Sequence, residues 1–143
     1  MAQPTTGTGT LCAQREQMVK QLILANLAET LDVTELARAC ALSRSHFSRA
    51  FKRTTGASPQ EWIRQQRIKQ AKVLIAGSGL SLTQISQECG FCDQAHFCHL
   101  FSRSEGVNPM AWRKLQLRYR HHLRAAQIAI VNLKETVIPV SAS

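Results

Sequence analysis

Four cations fall within the ten residues from Arg44 to Arg53: Arg44, Arg49, Lys52 and Arg53. An arginine fork donates two parallel hydrogen bonds, which suits a guanine edge or a phosphate. Ser45 and Ser48 lie among these cations and are short enough to touch a base edge, a phosphate, or neither. The same stretch also fits the solvated charged face of an ordinary amphipathic helix. A second cluster invites a different chemistry. Cys89-x-x-Cys92, with His96, Cys98 and His99 close behind, has a metal-ligand and redox spacing. No second pair follows at finger spacing, however, and Cys89 repeats Cys40, a position expected between helices, where a thiol serves as a small hydrophobe. The cluster is therefore read as incidental, with no metal and no cofactor expected. No nucleophile–base pairing, paired carboxylates or glycine-rich phosphate loop stands out, so the chain is not read as an enzyme.

The elements that must position Arg44–Arg53 are legible in an internal repeat. Leu31, Thr34 and Cys40 map onto Leu80, Thr83 and Cys89 at an offset of 49. His46, Phe47, Phe51, Arg53, Gly56, Pro59 and Trp62 map onto His96, Phe97, Phe101, Arg103, Gly106, Pro109 and Trp112 at an offset of 50. One residue is thus inserted between the blocks, as a turn one residue longer requires. The repeat is helical: Phe47 and Phe51, like Phe97 and Phe101, stand four apart and share a face. Asp32-x-x-Glu35, Ser58-x-x-Glu61 and Ser81-x-x-Gln84 read as capping boxes or close variants. Ser43 and Asp93 are candidate caps. Pro59 and Pro109 take first helical positions, and Gly56 and Gly106 suit helix ends.

The expected architecture is all-α, about seven helices, with two helix-turn-helix subdomains joined by a long linker helix. The helices are placed at 14–30, 33–40, 44–55, 59–76, 82–88, 94–105 and from 109 to about 131. The corresponding organisation is a disordered segment at 1–13, a first subdomain at 14–58, linker and break at 59–79, a second subdomain with a basic helix at 80–131, and a tail at 132–143.

Two short helices separated by a tight turn suggest DNA. The first braces the second, whose N-terminal side chains meet base edges in a major groove about 12 Å wide. Arg44–Arg53 has the two stripes this needs. Phe47, Ala50 and Phe51 form the packed side, and Arg44, Ser45, Ser48, Arg49 and Lys52 form the other. Trp62 and Trp112 are expected to pack in the core, and Arg67 to brace the linker helix.

Composition agrees with a polyanionic partner. The 143 residues carry 18 Lys plus Arg against 9 Asp plus Glu, a formal net charge of +9. Hydrophobic residues make up 44% of the chain, enough for a core. No run of about 18 apolar residues suits a membrane span. Residues 1–11 lack a signal-peptide pattern, and five cysteines read as free thiols, so a cytoplasmic protein is expected. RNA binding would favour exposed aromatics, and the aromatics here lie mostly on apolar stripes. A helical protein-interaction module with incidental charge remains the alternative.

These residues resemble the AraC/XylS-type transcription regulators over about 22–114. The first half carries the pattern as Ala37, Ser43, Phe47, Arg49, Phe51-Lys52, Gly56, Pro59, Trp62-Ile63, Arg67-Ile68, Ala71 and Leu74. The second carries it as Ile85, Gly90-Phe91, Asp93, His96-Phe97, Phe101, Gly106, Pro109 and Trp112-Arg113. The resemblance implies a bilobal helical domain that reads two adjacent major-groove segments of double-stranded DNA, as an activator that touches RNA polymerase. By position, its groove-facing residues fall on Arg44, Ser45, Ser48 and Arg49, and on Gln94, Ala95, Cys98 and His99, with Arg103 counted beside the second set. The chain departs from the pattern at His99 and Ser102, where basic residues are common, and at Ser86, where alanine is usual. Gln94–Ser102 therefore holds no Lys or Arg, and the first unit is expected to supply more of the phosphate attraction. Two reading heads on one chain imply binding as a monomer. The family commonly carries a separate sensing domain, so the chain is either a stand-alone regulator or the DNA-binding part of a longer one. Arg113, Lys114, Arg118, Arg120 and Arg124 form a basic run that fits a phosphate-binding extension, an activation surface or a solvated face.

Overall fold

The computed structural model describes residues 9–137. Among them the regular elements are seven helices: α1 Ala13–Ala25, α2 Val33–Ala39, α3 Arg44–Thr55, α4 Pro59–Gly77, α5 Leu82–Glu88, α6 Gln94–Glu105 and α7 Pro109–Val137. The expected all-α class and order are found. Local chemistry accounts for most of the boundaries. Ser43 and Ser58 accept from the backbone N–H groups of His46 and Glu61, each at 3.2 Å. Asp93 accepts from His96 at 2.7 Å. Ser81 and Gln84 close a reciprocal capping box. At Ser58 only half of the expected box forms, because the Glu61 carboxylate pairs with Arg64, and at Asp32 the box does not form. Asp32 caps Thr34 instead, and Glu35 pairs with Arg38 at 2.8 Å. Gly56 and Gly106 end α3 and α6 in the left-handed conformation, at φ 85° and 80°.

Three expected boundaries need correction. The helix placed at 14–30 stops at Ala25, because Asn26 leaves helical geometry and its side-chain amide donates to the Leu22 carbonyl at 2.7 Å. The stop turns Leu27 back into the core. The disordered segment placed at 1–13 does not extend to its C-terminal end. Leu11 is buried and its N–H donates to Thr54 Oγ1 at 2.9 Å, anchoring that stretch to α3, while 1–8 lie outside the described residues. The tail placed from 132 begins later, since α7 runs on to Val137. No glycine or proline stands between Pro109 and Pro139 to stop it. Residues 138–143 lie outside the described residues.

The apolar stripes build two cores, and α4 serves both. The first gathers Val19 and Ile23 of α1, Leu36 and Ala37 of α2, Phe47, Ala50 and Phe51 of α3, and Ile63 from the start of α4. The second takes Ile68, Ala71 and Ile75 from the rest of α4, Ile85 and Cys89, and Phe91, Phe97 and Phe101. The ring stacks repeat with the sequence. Phe51 meets Trp62 edge-on at 5.8 Å, as Phe101 meets Trp112 at 5.8 Å. Lys20 of α1 covers Trp62, and Lys72 of α4 covers Trp112, each 5.8 Å from the ring centroid. In packing terms α1 is to the first lobe what the second half of α4 is to the other.

The repeat also exposes one polar misfit. Ser86 occupies the place of Ala37, and both are about fully buried, but the Ser86 hydroxyl has no hydrogen-bond partner. An unmade buried hydrogen bond costs about 1–3 kcal/mol. Ser86→Ala is therefore expected to raise stability by about 1 kcal/mol, read as a higher thermal midpoint. A midpoint that stays or falls would show that the hydroxyl is satisfied in solution.

Candidate nucleic-acid interface

Within each unit, two short helices meet across a turn, and the turns differ as the change of offset requires. Four residues, Cys40–Ser43, separate α2 from α3, and five, Cys89–Asp93, separate α5 from α6. Ala41 and Gly90 fall at matched places, with φ of 56° and 81°. Leu42 N–H bonds back to Ala37 O, and Phe91 N–H to Ser86 O, each at 3.0 Å. These turns present the second helix of each pair with one face sunk in a core and the other outward.

On α3, Phe47, Ala50 and Phe51 are buried while Arg44, Ser45, Arg49 and Lys52 are exposed. Ser48 is half-buried on the flank. No acid interrupts this face. The fourth cation is placed differently. Arg53 lies against Gly9, where a β-carbon would collide with its guanidinium, so it faces the N-terminal stretch. On α6, Gln94, Ala95, His99 and Arg103 are exposed. Cys98, the counterpart of Ser48, is half-buried and packs against the second core. Burial pushes its thiol up from the ordinary range, so a neutral side chain faces that flank.

Several positioning residues escaped the sequence reading. Thr83 of α5 donates its hydroxyl to the Gln94 side-chain carbonyl, which fixes the first side chain of α6 from the bracing helix. Thr83 is one of the repeated residues, but nothing in the repeat pairs it with Gln94. Glu105, at the end of α6, is bonded to Lys72 of α4 at 2.7 Å, and this lysine holds its carboxyl below the usual carboxylate range. The only acid of α6 is thereby paired toward α4.

Two arginines brace the lobes through backbone carbonyls. Arg67 of α4 donates to Leu27 O at 3.1 Å and Glu29 O at 2.9 Å. Arg113 of α7 donates to Ile75 O at 3.3 Å and Leu80 O at 2.8 Å. Arg67 thus braces as its place in the linker suggested. Arg113 is withdrawn from the basic run, whereas Lys114, Arg118, Arg120 and Arg124 are exposed. From Leu117 to Leu133 every residue of α7 is exposed, large apolar side chains included.

The cysteine–histidine cluster is dispersed. Cys89 is fully buried, and burial pushes its thiol up to about 11. Cys92 is exposed, and His96 leans edge-on against Phe91 at 6.3 Å. Among the described residues no three His, Cys, Asp or Glu side chains come together as a metal site. Among those residues, too, no helix is long and apolar enough to cross a membrane.

Comparison with known proteins places this geometry. A family model described as a helix-turn-helix domain matches residues 36–115, more than half of the chain. The Msm operon regulatory protein of Streptococcus mutans is 35% identical over 75 residues, which are 52% of this chain and 27% of that protein. The arabinose operon regulatory protein of Escherichia coli is 33% identical over 75 residues, 52% of this chain and 26% of its own length. The chain thus spans about a quarter of these curated relatives. Among solved structures, the DNA-binding domain of AdpA, in complex with a target DNA, is 32% identical with a TM-score of 0.71. That match covers 74% of this chain and 96% of the AdpA domain. An AraC-type DNA-binding domain protein from Chromobacterium violaceum is 25% identical with a TM-score of 0.68, covering 72% and 92% of the two chains. With two capped helix pairs, a shared linker helix and these matches, the chain belongs to the AraC-type helix-turn-helix family of transcription regulators.

Proposed function

We propose that this chain is a sequence-specific reader of double-stranded DNA that regulates transcription by laying α3 and α6 in successive major-groove segments. The observation that carries the reading is the repeated outward stripe. Arg44, Ser45 and Arg49 on α3 match Gln94, Ala95 and His99 on α6, each set exposed on a capped helix whose opposite face is buried. Its likeness to a domain solved with its target DNA supports the same reading. The first unit supplies most of the charge, through Arg44, Arg49 and Lys52. The second reads with neutral groups, Gln94 foremost, since glutamine can pair bidentately with adenine. Ser48, Cys98 and Arg103 sit at the margins of the two footprints. The chain binds as a monomer and, as an activator, meets RNA polymerase in the cytoplasm. Whether it works alone or as the DNA-binding part of a longer effector-sensing regulator, the two lobes, divided along α4, are the reading unit.

Affinity measured across a salt series tests the electrostatic part. Removing one cation that neutralises a phosphate lowers the slope of log affinity against log salt by about 1. Arg44→Ala and Lys52→Ala are each expected to flatten the slope by about that amount. An unchanged slope removes these two residues from the phosphate contacts. Weak binding that ignores salt for the unmodified chain favours instead a protein-interaction module with incidental charge.

A further inference from the structure

Two reading heads on one helix locate two half-sites only if their mutual geometry is fixed. Away from the α4 axis, the turn before α6 touches the first lobe. Gly90, in the turn before α6, lies against the Leu27 carbonyl of the first lobe, and a β-carbon added at Gly90 would collide with that oxygen. The same β-carbon would stand 3.0 Å from Arg67 Nε. Arg67 fills the junction from α4 and ties down the Leu27 and Glu29 carbonyls. Each side is anchored. The Leu27 side chain is buried in the first core. Phe91, next to Gly90, is buried in the second, with its ring 4.9 Å from Phe97 of α6. A shift at the junction is therefore passed directly to the second recognition helix.

The internal repeat separates two reasons for a glycine here. Both turns hold this residue at positive φ, yet the first unit builds its turn with Ala41, which is exposed. The left-handed conformation alone therefore does not exclude alanine. What distinguishes Gly90 is its close approach to the other lobe.

We propose that Gly90, Leu27 and Arg67 form a latch that fixes the separation and angle of the two recognition helices, so that the chain reads its half-sites at one spacing. Gly90 and Arg67 are positioning residues that touch no DNA. The proposal rests on the two-headed reading for its consequence on DNA, but the rigidity it asserts is measurable without DNA. Residual dipolar couplings of the free full chain are expected to fit one alignment tensor for both lobes. In Gly90→Ala and in Arg67→Met they are expected to need two. Should Gly90→Ala fail to fold, Arg67→Met, which keeps the aliphatic stem and loses the donors, carries the same comparison. Two tensors in the unmodified chain, or one in the variants with the interlobe angle unchanged, would overturn the latch.

The consequence is read on duplexes in which the half-sites are moved apart. One inserted pair displaces a half-site by about 3.4 Å and turns it by about 35°. The unmodified chain is expected to lose about tenfold or more in affinity for that duplex, a loss of the size a mismatched pair brings. Folded latch variants should lose less than about threefold relative to their own best spacing, while Ala41→Gly keeps the original profile. Variants that keep the original profile and only bind more weakly would overturn the latch and leave the two-headed reading intact. An unmodified chain with one tensor and no spacing preference would overturn the two-headed reading and leave the rigid coupling standing.

Discussion

Phe51→Ala is expected to destabilise the first lobe by about 3–5 kcal/mol, the usual cost of truncating a buried phenylalanine. Phe51 is fully buried between Phe47, 5.6 Å away, and Trp62, at 5.8 Å. Removing the ring opens a void against side chains already held by three helices, which limits collapse. Phe101→Ala is expected to do the same in the second lobe, where Phe101 stands between Phe97 at 5.7 Å and Trp112 at 5.8 Å. The loss is a large part of the 5–15 kcal/mol or so that stabilises a typical domain. Each tryptophan packs on its own lobe's phenylalanine, so urea titrations of single-tryptophan forms follow the lobes separately. The midpoint should fall sharply in the lobe that carries the truncation. Unchanged midpoints would mean that these rings do not hold the recognition helices in place.

The second large effect falls on binding. Arg49 is exposed on the outward stripe of α3, within the N-terminal half that a recognition helix turns toward base edges. Arg49→Ala is expected to weaken binding to the specific site by about 1–3 kcal/mol, roughly 5- to 150-fold, and to relax preference at one base position. Binding to random duplex should change little. Competition titrations against matched, single-mismatch and random duplexes separate the terms. An equal loss on all three would make Arg49 a phosphate contact and move the burden of specificity to Gln94 and its neighbours.

Much of this architecture was legible because helix periodicity and capping act locally. Phe47 and Phe51, Ser43 and Gly56, and their repeats define α3 and α6 from the sequence, and the change in offset foretells the five-residue second turn. Where the reading went astray, a tertiary contact decided. Asn26 stops α1 by bonding back to Leu22, which a continuing apolar pattern conceals. Leu11 belongs to the core although a Thr- and Gly-rich stretch precedes it. Asp32 and Glu35 have capping-box spacing, yet Glu35 turns to Arg38. The candidate reading face was legible as a stripe, since exposure follows from which side of the helix is apolar. Its supports were not. Thr83 on Gln94, Arg113 on Ile75 and Leu80, and Gly90 against Leu27 join residues 11 to 63 positions apart, and no local pattern announces such pairs. The departure of Ser86 from alanine was visible in the sequence, whereas its lack of a hydrogen-bond partner needed the structure.

The two outward stripes, on α3 and α6, imply that one chain reads two successive major-groove segments. Selection of bound sequences from a random duplex pool, repeated at low and high salt, tests it most directly. The expected outcome is an enriched site of two segments spaced one helical turn apart, about 10 base pairs, with the first segment's contribution the more salt-sensitive. Enrichment of a single segment, or salt-sensitive binding with no sequence preference at all, would contradict it.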